Sequence, residues 1–310
     1  MHVLILGGSG MLGRDLVRAS PPEITIHASD IDEIDISRPV AVAEVLERTR
    51  PDWVVNAAAF TAVDRAEAEE SVALAVNGEA LRSIGAECSR RGVRVLHFST
   101  DYVFPGTGSR PYLETDAVLP VNAYGRSKLV GEQALLASHA QALIVRTQWL
   151  FGSAGRSFPR TMWAHARAGR RTRVVNDQIG RPTYTRDLAI AAWRLLRTRE
   201  TGILHVTNGG PSVSWFEVAR EVFSRVGAES LLSPCGSAEY PTPAKRPLYS
   251  VLDTSRFESI VPGGLPPWRD ALSRFLDELE GSGEDAGNAT DDADDRVDTA
   301  AASPPRTIDA

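Results

Sequence analysis

The chain opens with an apolar run, His2-Val3-Leu4-Ile5-Leu6, that passes directly into Gly7-Gly8-Ser9-Gly10-Met11-Leu12-Gly13. A strand that breaks into closely spaced glycines and then into a helical pattern is the start of a βαβ unit shaped to approach a dinucleotide. Glycines permit a tight turn and close backbone approach. The helix N-terminus that follows offers unpaired N–H groups and a positive dipole end to a pyrophosphate. Two registers fit: Gly8, Gly10 and Gly13 as G-x-G-x-x-G, or Gly7, Gly10 and Gly13 as G-x-x-G-x-x-G. A plain glycine-rich strand–helix turn has the same pattern, so the rest of the chain must decide.

Strand and helix patterns alternate from that point. Apolar runs at residues 24–28, 52–56, 93–98 and 143–146 read as strands, and periodic stretches at 11–19, 40–49, 71–91 and 124–138 read as helices. Such repetition implies an α/β fold, a Rossmann-type doubly wound parallel sheet with helices on both faces. Continuous rather than alternating apolar strands fit a sheet buried on both sides. After Gly152 the rhythm loosens: helices are expected at 157–168, 186–197, 214–226 and 268–280, strands at 173–176 and 203–207, and proline-rich loops at 233–247. We expect a dinucleotide-binding core at 1–152, and sheet extension with a smaller C-terminal substrate-binding lobe at 153–280.

Residues 281–310 hold eight acids and two arginines, which is the whole net charge of −6 on a chain with 34 basic and 40 acidic residues. This segment has almost no large apolar residue and is expected to be a disordered acidic tail. The remaining residues are balanced in charge, which argues against nucleic acid as a partner. No run approaches the ~18 apolar residues of a membrane span, so no membrane association is expected. Two cysteines without metal-type spacing fit a reducing cytoplasm.

Three segments carry chemistry. Asp30 stands 20 residues after Gly10, at the end of the second strand, where a carboxylate meets the adenosine ribose. It would accept from a 2′-hydroxyl and repel a 2′-phosphate. Ile31, Asp32, Glu33 and Asp35 follow with no arginine among them, so charge favours NADH over NADPH; a solvated loop acid is the alternative. Tyr124-Gly125-Arg126-Ser127-Lys128 puts Tyr124 and Lys128 on one helix face. A phenol ionises near ~10, and a nearby ammonium makes it a better proton donor to a carbonyl oxygen. An exposed helix pair has the same spacing. Thr100 lies just beyond the fourth strand, on the edge where open α/β sheets bind ligands, and its hydroxyl can polarise a carbonyl; bonding to its own turn is the alternative.

Together these segments resemble an extended short-chain dehydrogenase/reductase. Ser99-Thr100-Asp101-Tyr102-Val103-Phe104, residues 56–64 (NAAAFTAVD), 146–149 (RTQW), 176–183 (NDQIGRPT) and 241–247 (PTPAKRP) narrow the likeness to the dTDP-4-dehydrorhamnose reductase family, over residues 1–280. The resemblance implies Thr100, Tyr124 and Lys128 as the catalytic triad. It places Gly7, Gly10, Met11, Leu12 and Gly13 at the pyrophosphate turn, Asp30, Asp35 and Ile36 on the adenosine side, and Ala57, Ala58 and Ala59 against the cofactor. Tyr102 and Trp149 match positions near the sugar, and Arg181 and Arg246 lie in substrate-side loops facing phosphate. Gln148 departs from the serine common before the tryptophan. The implied cofactor is NADPH or NADH, the implied partner a dTDP-sugar, and a homodimer is compatible with the likeness. Magnesium enters only because some family members are reported with it.

The implied reaction reduces dTDP-4-dehydro-6-deoxy-L-mannose to dTDP-L-rhamnose. A 4,6-dehydratase shares the fold but usually carries Thr-Asp-Glu where this chain has Thr100-Asp101-Tyr102. A 4-epimerase, a reductase of other C4 stereochemistry, and a non-catalytic binding subunit are the remaining alternatives.

Overall fold

The computed structural model describes residues 1–281 and the two-residue strand Ala301–Ala302. The acidic tail expected from the sequence otherwise falls outside the described residues. Six strands, all parallel, make the main sheet: β1 (His2–Leu6), β2 (Thr25–Ser29), β3 (Trp53–Asn56), β4 (Arg94–Thr100), β5 (Ala142–Thr147) and β10 (Gly202–His205). Their order is β10-β5-β4-β3-β1-β2. The order reverses between β1 and β3, and a crevice opens there beyond the carboxyl ends.

The near-continuous apolar strands are explained by the two layers over the sheet. Val3, Ile5, Trp53, Val55, Leu96 and Phe98 point to one side, against α1 (Met11–Arg18) and α8 (Thr185–Leu195). Leu4, Leu6, Val54, Val95 and Ile144 point to the other, against α2 (Pro39–Thr49), α5 (Ala80–Arg91) and α6 (Ala123–Ser138). Successive side chains of a strand alternate in direction, so a strand covered on both faces must be apolar throughout.

The single helix expected over 71–91 is interrupted. Two short helices, α3 (Val63–Ala68) and α4 (Glu70–Leu74), lead into a π-helical turn at Ala75–Glu79 before α5 begins. The wide turn brings Asn77 against α6. Its side-chain oxygen accepts from the Phe60 N–H (2.8 Å), and its amide donates to the Phe60 carbonyl (2.9 Å) and the Ser127 hydroxyl (3.0 Å). Single-turn π bulges commonly occur where function needs such a side chain.

The second lobe has its own core around Phe151, Phe158, Trp163, Val218, Phe223, Trp268 and Phe275. It is built from α7 (Phe158–Arg167), α9 (Trp215–Arg225) and α11 (Trp268–Gly281), with β6 (Leu150–Phe151), β7 (Thr172–Val175), β8 (Ile179–Gly180), β9 (Thr183–Tyr184), β11 (Val213–Ser214) and β12 (Leu232–Cys235). Here β7 pairs with β12 and with Ala301–Ala302, while β6 pairs with β9 and β8 with β11. Helix α10 (Ser255–Ile260) closes against β10. No helix among the described residues is long and apolar enough to cross a membrane.

A buried ion pair locks α6 to β5: Arg146 Nε and Nη2 donate to Glu132 at 2.9 and 2.6 Å, and both side chains are 2% exposed. Removing one partner strands a charge in the interior, so Glu132→Ala should cost ~3–5 kcal/mol of unfolding free energy in urea titration. The double variant Glu132→Leu, Arg146→Met should recover most of that loss.

Candidate active site

The structure selects between the two glycine registers. Gly7 sits at φ +81°, and a Cβ there would lie 2.6 Å from Ala58 N, so only glycine lets the turns after β1 and β3 meet across the crevice. Gly10 is the N-cap residue of α1. Gly13 lies inside α1, where a Cβ would come 2.0 Å from the Gly7 carbonyl oxygen. Gly13 is therefore a packing glycine, and it does not line the cavity as the other expected turn residues do.

One cavity of about 910 Å³ runs across this crevice. Gly7, Gly10, Met11, Leu12, Asp30, Asp35, Ile36, Ala57, Ala58 and Ala59 line its cofactor side, and Thr100, Tyr102, Tyr124, Lys128, Trp149 and Arg246 the other. The tight glycine cradle and free α1 terminus fit a dinucleotide pyrophosphate.

Asp30 is engaged with the turn itself. Ser9 donates to it through its amide (2.9 Å) and its hydroxyl, and the Ile31 N–H donates at 2.8 Å. Burial pushes this carboxyl up, but the donors from Ser9 and Ile31 outweigh it and hold it below the usual carboxylate range. On the same turn, exposed Arg14 of α1 donates through Nε to the Ser9 carbonyl at 2.9 Å.

The N-cap of α6 is Asn122, whose side chain accepts from the Gly125 N–H (2.7 Å) and donates to the Lys245 carbonyl (2.8 Å). The Ala123 N–H donates to Glu67 at 2.8 Å, a favourable place for a carboxylate. The first turn is thereby held, and Tyr124 and Lys128 both line the cavity as their spacing predicts. The Tyr124 ring meets Tyr102 edge to face at 5.9 Å. Lys128 is 1% exposed, with Nζ 2.7 Å from the Phe98 carbonyl and 3.0 Å from His97 Nε2. Burial pulls this amine down to about 8, partly opposed by Glu132.

Thr100 is engaged with its own turn, the alternative that its position allowed. Its oxygen accepts from the Tyr102 N–H (3.1 Å), capping the short turn Asp101–Val103, and its hydroxyl donates to Asp101 at 3.0 Å. Asp101 is 2% exposed, and burial pushes its carboxyl up to about 7 against the hydrogen bonds of Ser250, Thr100 and Gln148.

On the lobe side, Trp149 is held at φ +49°, a strained conformation for a bulky residue. It stacks on Trp215 at 3.6 Å, and Gly180 makes room for the indole, since a Cβ there would lie 2.5 Å from it. Trp215, Gln178, Arg156 and Tyr240 also line the cavity and were not singled out from the sequence; they sit on separate elements with no shared motif. Arg246 does line it, clasped by Asp64 at 2.6 and 3.1 Å. Arg181 does not: it is turned toward Thr207, 3.2 Å away. The expectation that Arg181 faces phosphate is thus not met by its placement, because the 176–183 segment turns its glycine rather than its arginine toward Trp149. Gln148 is buried and donates to the Ser250 carbonyl at 2.6 Å. No group of three or more His, Cys, Asp or Glu able to hold a metal occurs among the described residues.

The family model described as RmlD substrate binding domain matches residues 1–280. The chain is similar to dTDP-4-dehydrorhamnose reductase of Shigella flexneri, at 39% identity over 90% of this chain and 98% of that one. It is 45% identical to a Streptomyces antibioticus protein described as a probable dTDP-4,6-dihydroxy-2-methyloxan-3-one 4-ketoreductase, over 90% of this chain and 96% of that one. Among solved structures, dTDP-4-dehydrorhamnose reductase from Bacillus anthracis in complex with NADP matches with a TM-score of 0.86 at 35% identity, covering 89% of this chain and 99% of that one.

Substituting Gly180→Ala should push the Trp149 indole off Trp215. The expected outcome is a loss of near-ultraviolet circular dichroism from the stacked pair, with a stability cost of ~1–3 kcal/mol for overpacking. An unchanged spectrum would show that the stack does not depend on this clearance.

Proposed function

Because the chain belongs to the RmlD substrate binding domain family, we propose that it reduces the 4-keto group of dTDP-4-dehydro-6-deoxy-L-mannose to give dTDP-L-rhamnose. It is an NAD(P)H-dependent oxidoreductase, and reduction of a nucleotide-linked 4-keto-6-deoxyhexose is the reaction its relatives support. The observation that carries the specific reading is that Tyr124, Lys128 and Thr100 line the same cavity as the glycine turn and the Trp149 wall.

The reduced nicotinamide, when bound, supplies the hydride that goes to sugar C4. Tyr124 donates its phenolic proton to the oxygen at C4 as negative charge develops there. Lys128, fixed from below by the Phe98 carbonyl, turns its remaining hydrogen toward the phenol and the nicotinamide ribose. Thr100 turns its hydroxyl from Asp101 to the same sugar oxygen and stabilises the developing charge. Trp149 and Tyr102 shape the hexose pocket with an apolar face and a polar edge. Arg246, held in place by Asp64, lies on the diphosphate side.

For the cofactor, the ionised Asp30 supports a preference for NADH, because a 2′-phosphate would meet a second negative charge. The relative solved in complex with NADP supports use of NADPH as well. A second reading, a reductase of another 4-keto-6-deoxyhexose or of other C4 stereochemistry, is supported by the 45% identity to the Streptomyces antibioticus protein. Stereochemistry at C4 depends on which face of the sugar meets the nicotinamide, and NMR of the product distinguishes the two readings.

Tyr124→Phe should lower kcat by ~100-fold or more while leaving NADH affinity nearly unchanged, as removal of a general acid does; full turnover would defeat the assignment. Asp30→Ala should shift the ratio of kcat/KM for NADPH over NADH upward by ~10-fold, the effect of relieving one like-charge contact near the surface.

A further inference from the structure

Beneath Lys128 lies a polar pair that the proposed chemistry does not use. His97 of β4 and Asn56 at the end of β3 are both wholly buried. Asn56 Nδ2 is 3.1 Å from His97 Nδ1, and His97 Nε2 is 3.0 Å from Lys128 Nζ. Two polar side chains sunk into an apolar sheet are costly unless each group is matched. The strand pattern itself gives no reason for them, since neighbouring Leu96 and Phe98 are apolar.

The matching can be followed atom by atom. Burial and the adjacent Lys128 keep His97 neutral, so one ring nitrogen donates and the other accepts. Asn56 accepts from the Ala58 N–H through Oδ1 at 3.1 Å, which fixes the direction of its amide. Its Nδ2 must then donate to Nδ1, and the ring proton resides on Nε2, facing Lys128. Every group is satisfied when Lys128 is the amine. Its lone pair accepts from Nε2–H, one hydrogen goes to the Phe98 carbonyl, and the other is left for the cavity. If Lys128 takes up a proton, Nε2 must become the acceptor, the ring proton moves to Nδ1, and Asn56 must turn over and release Ala58. Of the charged groups along α6, Arg126 is paired with Glu70 and Glu132 is committed to Arg146.

From this geometry we propose that His97, locked by Asn56, is a positioning residue that orients the Lys128 amino group. The same pair ties Lys128 to the Ala57–Ala59 turn on the cofactor side. The inference rests on the assignment of Lys128 to the reaction. The two residues steady the lysine from beneath.

The test combines kinetics with a spectroscopic readout. His97→Leu should lower kcat by ~10- to 100-fold with the KM for the nucleotide sugar within ~2-fold, the signature of a misplaced group rather than a lost binding contact. His97→Gln, which restores an amide near Nζ, should recover most of the loss. In the wild-type protein labelled with ¹⁵N-histidine, above the value of about 8 at which Lys128 loses its proton, the His97 proton should be found on Nε2, with the resonance assigned by its absence in His97→Gln. A wild-type kcat in His97→Leu, or a proton on Nδ1 under those conditions, overturns the positioning role. Lys128→Met is the control. If it too retains full kcat, the reductase chemistry assigned to this face fails, whereas its inactivity beside an active His97→Leu removes only the role of His97.

Discussion

One hydrogen bond, from the buried Lys128 amino group to the Phe98 carbonyl, joins the helix that carries Tyr124 to the strand that carries Thr100. An amino group this deeply buried is unfavourable by itself. It is tolerated because three elements converge on it: β4 supplies the carbonyl and His97, β3 supplies Asn56, and α6 is pinned in register by Asn77 and by the Arg146–Glu132 pair. The same burial that makes the group expensive also lowers its pKa toward neutrality. Structural cost and chemical readiness have one cause.

The opposite wall of the cavity is organised differently. Trp149 is forced into a left-handed conformation between Gly180 and Trp215, and Arg246 is steered by Asp64. Stacking and ion pairing across elements leave this wall easier to remodel than the catalytic face.

Legibility from sequence followed the range of the interactions involved. The strands, most helices and the Tyr124–Lys128 face were readable because they depend on residues within one or two turns of each other. The π-helical turn at Ala75–Glu79 was not, since Asn77 distorts the helix to reach Phe60 and Ser127, which are distant in sequence. The glycine spacing does not announce that Gly13 needs its hydrogen in place of a side chain because the Gly7 carbonyl lies against it. Arg181 was assigned to phosphate, but its segment presents Gly180 to the cavity wall.

The sequence alone determined a parallel, doubly covered sheet, a glycine turn shaped for a pyrophosphate, and a phenol and an amine on one helical face. Each follows from short-range periodicity or from the steric freedom of glycine. Only the tertiary structure decided what surrounds those groups: the imidazole under Lys128, the carboxyl that claims the Thr100 hydroxyl, and the tryptophan stack facing them. These pairings join residues from different strands, helices and lobes. Their distances are set by how whole layers pack, and no local pattern in the chain encodes them.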